Sequence, residues 1–203
     1  MSEDKDKDDE VKIFTNHKKN LIYFNAPIEN EYILQLIEHL YEMEQNELER
    51  VNEFIFEMKK KTGTEFKQTD YIKPIILEIN SNGGLIYEAF AVVDTIKNLS
   101  VPVHTICKGY TASAATLITL AGSRRFMTKN SYFLIHEITD EITGNYTFMK
   151  HNFENSKILM EHIIDYYVKN SNLNYDKVKE HINTEISWNA EETLKFGFVD
   201  KII

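Results

Sequence analysis

A serine among very small residues is the first candidate for chemistry in this sequence. Ser113 lies in Gly109–Ala115 (GYTASAA), between an apolar segment that predicts a strand and a small-residue segment that predicts a helix. Such a turn can expose a hydroxyl beside free backbone N–H groups, which is the geometry that a nucleophile and its oxyanion donor need. Taken alone, Ser113 fits a helix N-cap better than a nucleophile.

Two further segments could serve such a nucleophile. Gly83 and Gly84 end the run NSNGG, which follows a predicted strand and precedes a predicted helix. Adjacent glycines expose backbone N–H groups to an approaching ligand, and the run matches neither glycine-rich phosphate-binding pattern. His136 follows the apolar segment Tyr132–Ile135 and could be a general base, although a lone histidine is more often structural.

Hydrophobic periodicity places these segments in an alternating order of strands and helices. The predicted strands are Leu21–Phe24, Ile75–Ile79, Val103–Cys107, Arg125–Met127, Tyr132–Ile135 and Val199–Ile203. Helical patterns begin near Asn30 and cover Tyr87–Leu99, Ser113–Ala121, Tyr146–Val168, Tyr175–His181 and Ala190–Phe196. Gly109 is expected to break its strand, and Lys59–Asp70 to form an exposed loop. Alternating strands and helices predict an α/β fold with parallel pairing.

Composition narrows the class of protein further. The 203 residues suit one domain, and the net charge of −9 argues against non-specific binding to nucleic acid or to an anionic membrane. Met1–Glu10 carries six acidic residues against two lysines. Because it has no apolar residue beyond Met1, we expect a disordered tail. A single cysteine, with neither a signal peptide nor an apolar run long enough to span a membrane, indicates a cytoplasmic protein.

No motif predicts a metal or a cofactor. The seven histidines form no H-x-x-x-H pattern and no Cys/His cluster, so we expect no metal site. Cys107 lies within a predicted strand and is expected to be a small buried hydrophobe rather than a reactive thiol.

Taken together, four blocks of sequence resemble the proteolytic subunit of the Clp protease, a serine peptidase of the crotonase-like superfamily. The blocks are NSNGG, TICKGYTASAA, NSYFLIH and the closing NAEETLKFGFVDKII, and they occur in the order that the family has. The resemblance covers Lys19 to Ile203, with an insertion around residues 45–70. It implies a single crotonase-like domain of repeated β-β-α units, with Tyr146–Val168 as a protruding handle helix. Residues 1–18, where the family has an apolar-anchored hairpin, are expected instead to be an acidic, disordered segment.

The resemblance also implies a role for each site residue. Ser113 matches the nucleophile and His136 the general base, separated by 23 residues, which is two fewer than is usual in the family. Gly84 and Ala114 match the positions whose backbone N–H groups form the oxyanion hole. Three neighbours of Gly84 are expected to bind substrate: Gly83, Leu85 and Ile86.

The third member of the triad departs from the family pattern. The family aspartate falls on Glu185, which follows His136 by 49 residues. Glutamate can orient an imidazolium as aspartate does, although its extra methylene must be absorbed. Asn183 could orient the ring without supplying charge. Glu185 could instead be a solvated loop acid.

The resemblance implies an assembly and partners as well. It implies stacked heptameric rings that enclose the active sites, fed with unfolded protein by an ATP-driven AAA+ unfoldase. Asn183 and Thr184 stand where the family has an acidic–basic pair, and the substrate-pairing strand is reduced to Glu137–Asn145, which contains one glycine. These departures leave open a weak or inactive ring subunit that needs a paralogous partner. A related viral head-maturation peptidase is a further alternative, and an acyl-CoA enzyme of the same superfamily is the least favoured.

Overall fold

The computed structural model describes residues 12–203. Over this range, strands and helices alternate along the chain. The strands are β1 (Lys12–Asn16), β2 (Leu21–Asn25), β3 (Ile75–Ser81), β4 (Val103–Ala112), β5 (Arg124–Met127), β6 (Tyr132–Leu134), β7 (Trp188–Asn189) and β8 (Lys201–Ile202). The helices are α1 (Asn30–Thr62), α2 (Ile86–Asn98), α3 (Ala114–Ala121), α4 (Tyr146–Lys169), α5 (Tyr175–Ile182) and α6 (Ala190–Lys195).

All of these strands belong to one mostly parallel sheet. The order is β1-β2-β3-β4-β5-β8, with β6 beside the second half of β4 and β7 beside β6. Only β1 and β7 pair antiparallel with their neighbours. The predicted α/β class with parallel pairing is therefore confirmed. Because the carboxyl ends of parallel strands meet at one edge, the turns after β3, β4 and β6 come together there.

The core lies between this sheet and the helices that pack on it. In β3 the side chains of Ile75, Leu77 and Ile79 are fully buried, as the alternation along a strand requires. All residues of α3 are buried, because its sequence AATLITLA carries no charge and leaves no polar face. Each buried Leu or Ile stabilises the fold by about 1.5–3 kcal/mol. The segment that follows Ser113 is therefore firmly anchored.

The N-terminal third differs from the prediction in two respects. Residues 12–18 are not disordered: β1 pairs with β2, and Ile13 packs on the core. The acidic residues 1–10 lie outside the described range. The region 45–70 is largely a continuation of α1, which ends only at Thr62, where Gly63 has φ 69°. The predicted loop from Lys59 therefore starts later, because the three lysines 59–61 suit a helix C-terminus.

α4 agrees with the helix predicted for Tyr146–Val168 and extends it by one residue. Its buried side chains are Ile163, Ile164 and Tyr167, all near its C-terminal end. There the Tyr167 hydroxyl lies 2.7 Å from Thr116 Oγ1 in α3. The N-terminal half instead exposes several large apolar side chains: Tyr146, Phe148, Met149, Phe153 and Ile158. These apolar side chains therefore lie outside the core of the domain.

Candidate active site

Ser113 is the single residue between β4 and α3, and its backbone has a conformation that a serine rarely adopts. Its backbone has φ 54° and ψ −129°. A non-glycine residue in such a region costs on the order of 1–3 kcal/mol, and surrounding contacts must hold it there. Here the Ser113 N–H donates to Leu134 O at 2.9 Å, and Ser113 O accepts from Thr116 N–H and Thr116 Oγ1. The turn between strand and helix is therefore fixed from both sides.

The hydroxyl of Ser113 does not cap its own helix. Although Ser113 stands at the N-cap position of α3, its side chain makes no capping hydrogen bond. A serine that served only as a cap would accept a hydrogen bond from an N–H of the first turn with its side-chain oxygen. The alternative that Ser113 is merely an N-cap residue is therefore not supported, and the hydroxyl stays available to a ligand.

The glycine pair lies directly against Ser113. A Cβ atom placed on Gly83 would lie 2.5 Å from Ser113 Cβ and 3.1 Å from Ala114 N, so only glycine fits there. On its other side the turn is bound to the chain after β2. Ile28 N–H donates to Gly83 O at 2.8 Å, and Leu85 N–H donates to Ile28 O at 2.7 Å.

These contacts leave two neighbouring N–H groups available. Within the described residues, neither Gly84 N–H nor Ala114 N–H donates a backbone hydrogen bond. Ala114 is the first residue of α3, where an N–H has no partner inside the helix and the helix dipole favours negative charge. Because Gly83 adjoins Ala114 N, the two predicted oxyanion donors lie beside the same serine.

His136 reaches the same site from β6. β6 pairs in parallel with the second half of β4, with Leu134 opposite Ala112, so the residues after both strands emerge together. His136 and Ser113 are half-buried and line one cavity of about 350 Å³. No hydrogen bond joins the two side chains in the part of the chain described. Catalytic hydrogen bonds are often long in unliganded sites and tighten when substrate binds.

The cavity brings together most of the predicted site residues and adds others. Gly84, Leu85 and Ile86 line it with Ser113 and His136. Three residues of the wall belong to Glu137–Asn145, the segment that the resemblance implies pairs with substrate: Ile138, Thr139 and Asp140. The prediction did not include the remaining ones, which are Tyr87, Asn152, Asn155, Ser156 and Leu159. The α4 residues at positions 152, 156 and 159 lie on one face of the helix. Their spacing of four and three residues in the sequence could have indicated that they face the same site.

Glu185 does not reach the cavity. The antiparallel register of β6 with β7 pairs Phe133 with Trp188, and its continuation would bring Glu185 opposite His136. The chain turns before that point: Glu185 is exposed, has φ 51°, and makes no hydrogen bond to His136 among the described residues. Asn183 is also exposed and lies outside the cavity wall. The carboxylate on the wall is that of Asp140, which the sequence did not single out.

Across residues 12–203, no group of three or more His, Cys, Asp or Glu side chains is arranged to hold a metal ion. Over the same span, no helix combines the length and apolar character that crossing a membrane requires. Cys107 is buried, and burial raises the pKa of its thiol to about 11 despite a hydrogen bond with Thr119.

The fold and the cavity define an α/β protein whose candidate site lies at the carboxyl ends of a mostly parallel sheet. A family model described as Clp protease matches residues 64–203. The ATP-dependent Clp protease proteolytic subunit 1 of Protochlamydia amoebophila (strain UWE25) is 33% identical over 139 residues, which cover 66% of this chain and 68% of that protein. The protein of the same name from Chlamydia pneumoniae is 36% identical over 135 residues, covering 64% of this chain and 71% of that protein. The chain therefore belongs to the Clp protease family.

Proposed function

We propose that this chain is a serine endopeptidase subunit that hydrolyses peptide bonds of unfolded proteins. The observation that carries the proposal is Ser113: a strained serine whose hydroxyl caps nothing, on the wall of a cavity shared with His136. Strain of this kind is retained where the rest of the structure holds it, and it is concentrated at active sites. Membership of the Clp protease family supports a peptidase independently.

The proposed reaction follows from these positions. Ser113 Oγ attacks the substrate carbonyl carbon while His136 takes the hydroxyl proton, and His136 then returns the proton to the leaving amine. The negative charge that develops on the carbonyl oxygen is stabilised by Gly84 N–H and Ala114 N–H. A water molecule then releases the acyl group from Ser113 by the same route. Gly83 and Leu85 in the turn after β3, together with Ile86 at the start of α2, bind the substrate beside the attacked bond.

Three residues are candidates for orienting His136. Glu185 keeps the family spacing but needs a shift of its loop to reach the ring, because it is exposed and makes no bond to His136 among the residues described. Asp140 lies on the cavity wall, four residues after His136, and Asn183 is the uncharged alternative. We propose Glu185, because it keeps the family's spacing of 49 residues from His136.

Labelling with a fluorophosphonate tests the nucleophile directly. The wild-type protein should form a single adduct on Ser113, located by mass spectrometry, and Ser113→Ala should form none. Ser156→Ala is the matched control, since Ser156 lines the same cavity and should leave the adduct unchanged. An adduct elsewhere, or labelling that survives in Ser113→Ala, would refute the proposed nucleophile.

The same assay separates the candidates for the orienting residue. Glu185→Ala, Asp140→Ala and Asn183→Ala are compared by their inactivation rate constants. Loss of an orienting carboxylate lowers the rate about 10⁴-fold in a well-studied triad, whereas loss of a solvated loop acid leaves it nearly unchanged. A large loss in Asp140→Ala with none in Glu185→Ala would replace the third member that we propose.

We further propose that the subunit acts in stacked heptameric rings in the cytoplasm, supplied with substrate by an AAA+ unfoldase. Support comes from the N-terminal half of α4, on which Tyr146, Phe153 and Ile158 are exposed among the described residues. Exposed apolar side chains of this size mark interaction surfaces. Light scattering coupled to size-exclusion chromatography should give a mass near fourteen protomers, and a monomer at micromolar concentration would contradict this assembly.

A second candidate is a weak or inactive ring subunit that needs a paralogous partner. The exposed position of Glu185 favours it, because a serine–histidine pair without an orienting carboxylate is a poor nucleophile. In that case the isolated protein forms no fluorophosphonate adduct, and adding a paralogous subunit restores labelling of Ser113.

A further inference from the structure

β4 changes register with β3 just before the site. Ile79 lies opposite Cys107, but two residues later Ser81 lies opposite Thr111. The segment 108–110 of β4 therefore faces the single residue Asn80 of β3. Extra residues of this kind form a β-bulge, which re-aims the strand that carries it.

The bulge determines which residue of the turn after β3 faces Ser113. With the register that holds after the bulge, Ser113 comes opposite Gly83, in agreement with the close approach of Gly83 to Ser113 Cβ. With the register that holds before it, Ser113 would come opposite Leu85, and Gly83 would face Thr111. The bulge therefore brings the serine to the glycine turn.

The same segment also moves β4 from one neighbour to another. Before the bulge β4 pairs with β5, ending at Cys107 opposite Met127. After the bulge it pairs with β6, beginning at Tyr110 opposite Tyr132. Because β6 leads to His136, the bulge sets Ser113 relative to the histidine as well as to the glycine pair.

Two backbone N–H groups of the bulge donate hydrogen bonds to side chains. Tyr110 N–H donates to Asn80 Oδ1 at 2.9 Å, and Gly109 N–H donates to Ser131 Oγ at 2.8 Å. Asn80 is held in turn, because its Nδ2 donates to Asn25 Oδ1 at 2.7 Å. The fit is close: Gly109 has φ 81°, and a Cβ there would lie 2.8 Å from Asn80 Oδ1.

We propose that Asn80 is a positioning residue that fixes the β4 bulge and thereby aligns Ser113 with Gly83–Gly84 and His136. Its consequence for the reaction rests on the proposed peptidase function, whereas its hold on the bulge does not. Asn80 acts through the backbone of Tyr110 and lies outside the cavity wall. A shift of the serine by about 1 Å is enough to lower a reaction rate about 10²-fold.

Three variants test this role. Asn80→Ala removes the acceptor for Tyr110 N–H. Asn80→Asp retains that acceptor, and the Asn25 amide can turn to donate to the new carboxylate. Glu78→Gln is the matched control: Glu78 lies on the same strand and pairs with Lys108 of the bulge at 2.8 Å, but through an exposed ammonium rather than a backbone N–H.

The fluorophosphonate inactivation rate is separated into its maximal rate constant and its half-saturation concentration. Asn80→Ala should lower the maximal rate constant about 10²-fold and leave the half-saturation concentration nearly unchanged, since the cavity wall is intact. Asn80→Asp should recover at least about tenfold of that loss, because it keeps the hydrogen bond. Glu78→Gln should match the wild type.

Amide hydrogen exchange on residues 108–113 gives a readout that does not require activity. Exchange there should be faster in Asn80→Ala and unchanged in Glu78→Gln. A wild-type maximal rate constant in Asn80→Ala, or a slowed reaction with unchanged exchange, would overturn the proposal. If the wild type forms no adduct, the peptidase function fails, and exchange alone decides whether Asn80 holds the bulge. If Asn80→Ala does not fold, the same two measurements are made on Ser131→Ala, which removes the acceptor for Gly109 N–H.

Discussion

Replacing Gly84 by alanine should disrupt both the fold and the site. Gly84 has φ 146°, and an added Cβ would lie 2.3 Å from Ile28 O and 3.0 Å from both Ile28 N and C. These are backbone atoms, so no side-chain rotation relieves the overlap. The turn must separate from the chain after β2, which breaks the hydrogen bonds Ile28 N–H to Gly83 O and Leu85 N–H to Ile28 O.

The cost of Gly84→Ala can be worked from these contacts. Two backbone hydrogen bonds contribute about 1 kcal/mol each, and a positive φ adds about 1–3 kcal/mol for alanine. The free energy of unfolding should fall by about 3–5 kcal/mol. In a chain of this size, that lowers the melting temperature by about 10 °C. Because Gly84 N–H is a proposed oxyanion donor, the maximal rate of fluorophosphonate inactivation should also fall about 10²–10³-fold.

Gly63→Ala is the matched control. Gly63 ends α1 with φ 69°, and an added Cβ meets no atom within 4 Å. This variant pays only the conformational cost of a left-handed alanine, about 1–2 kcal/mol. Urea unfolding and thermal melting of both variants separate the overlap at Gly84 from the effect of φ alone. Labelling of Ser113 should be unchanged in Gly63→Ala.

An equal loss of stability in the two variants would refute this reasoning, since it would mean that Ile28 does not hold the glycine turn. Normal labelling in a folded Gly84→Ala protein would contradict the role of Gly84 as an oxyanion donor.

Two further predictions concern buried ionisable groups. Burial of Glu47 opposes its charge, but hydrogen bonds from Arg50 and from Lys73 N–H hold its pKa below the usual value near 4.5. Its contribution is therefore present above the unfolded-state pKa and lost as the pH falls through the lower folded-state pKa. Urea titrations should show Glu47→Gln less stable than the wild type at pH 7, by about 1–3 kcal/mol, with the gap closing below pH 4; a constant gap would contradict the linkage. Burial raises the pKa of the Cys107 thiol to about 11. Cys107 should therefore resist iodoacetamide at pH 8 in the native protein and react with it in urea. Rapid alkylation of the native protein would contradict the burial of this thiol.

The elements that carry the site follow from the sequence because each has a local cause. The alternating pattern of Ile75–Ile79 predicts a strand, and its bounds agree with those of β3 within two residues. The uncharged run after Ser113 predicts a buried helix, and its bounds agree with those of α3 within two residues. β1 and β7 were missed because their pairing depends on distant partners rather than on a pattern of their own. Gly109 was predicted to break β4, but it lies inside the strand at the bulge. A glycine inside a strand signals a break and a bulge equally well.

The site itself was predicted only in part, for the same reason. Ser113, Gly84 and His136 follow three neighbouring strands, so their order in the sheet brings them together. Glu185 precedes β7 by three residues within a turn, and its distance from His136 depends on loop geometry that no periodicity records. The cavity wall supplied by α4 depends on how that helix packs, which the sequence of one chain does not specify.

The family match covers fewer residues than the folded domain, whose first strand begins at Lys12. The family match begins at residue 64, yet β2 lies between β1 and β3 in the sheet, and Ile28 binds the glycine turn. A protein cut to residues 64–203 would leave β3 as an open edge, presenting a row of unpaired N–H and C=O groups to any other chain. Such edges recruit foreign strands and lead to aggregation. β2 therefore covers the edge of the strand that leads to the glycine turn, and it protects that edge from non-specific pairing with other chains.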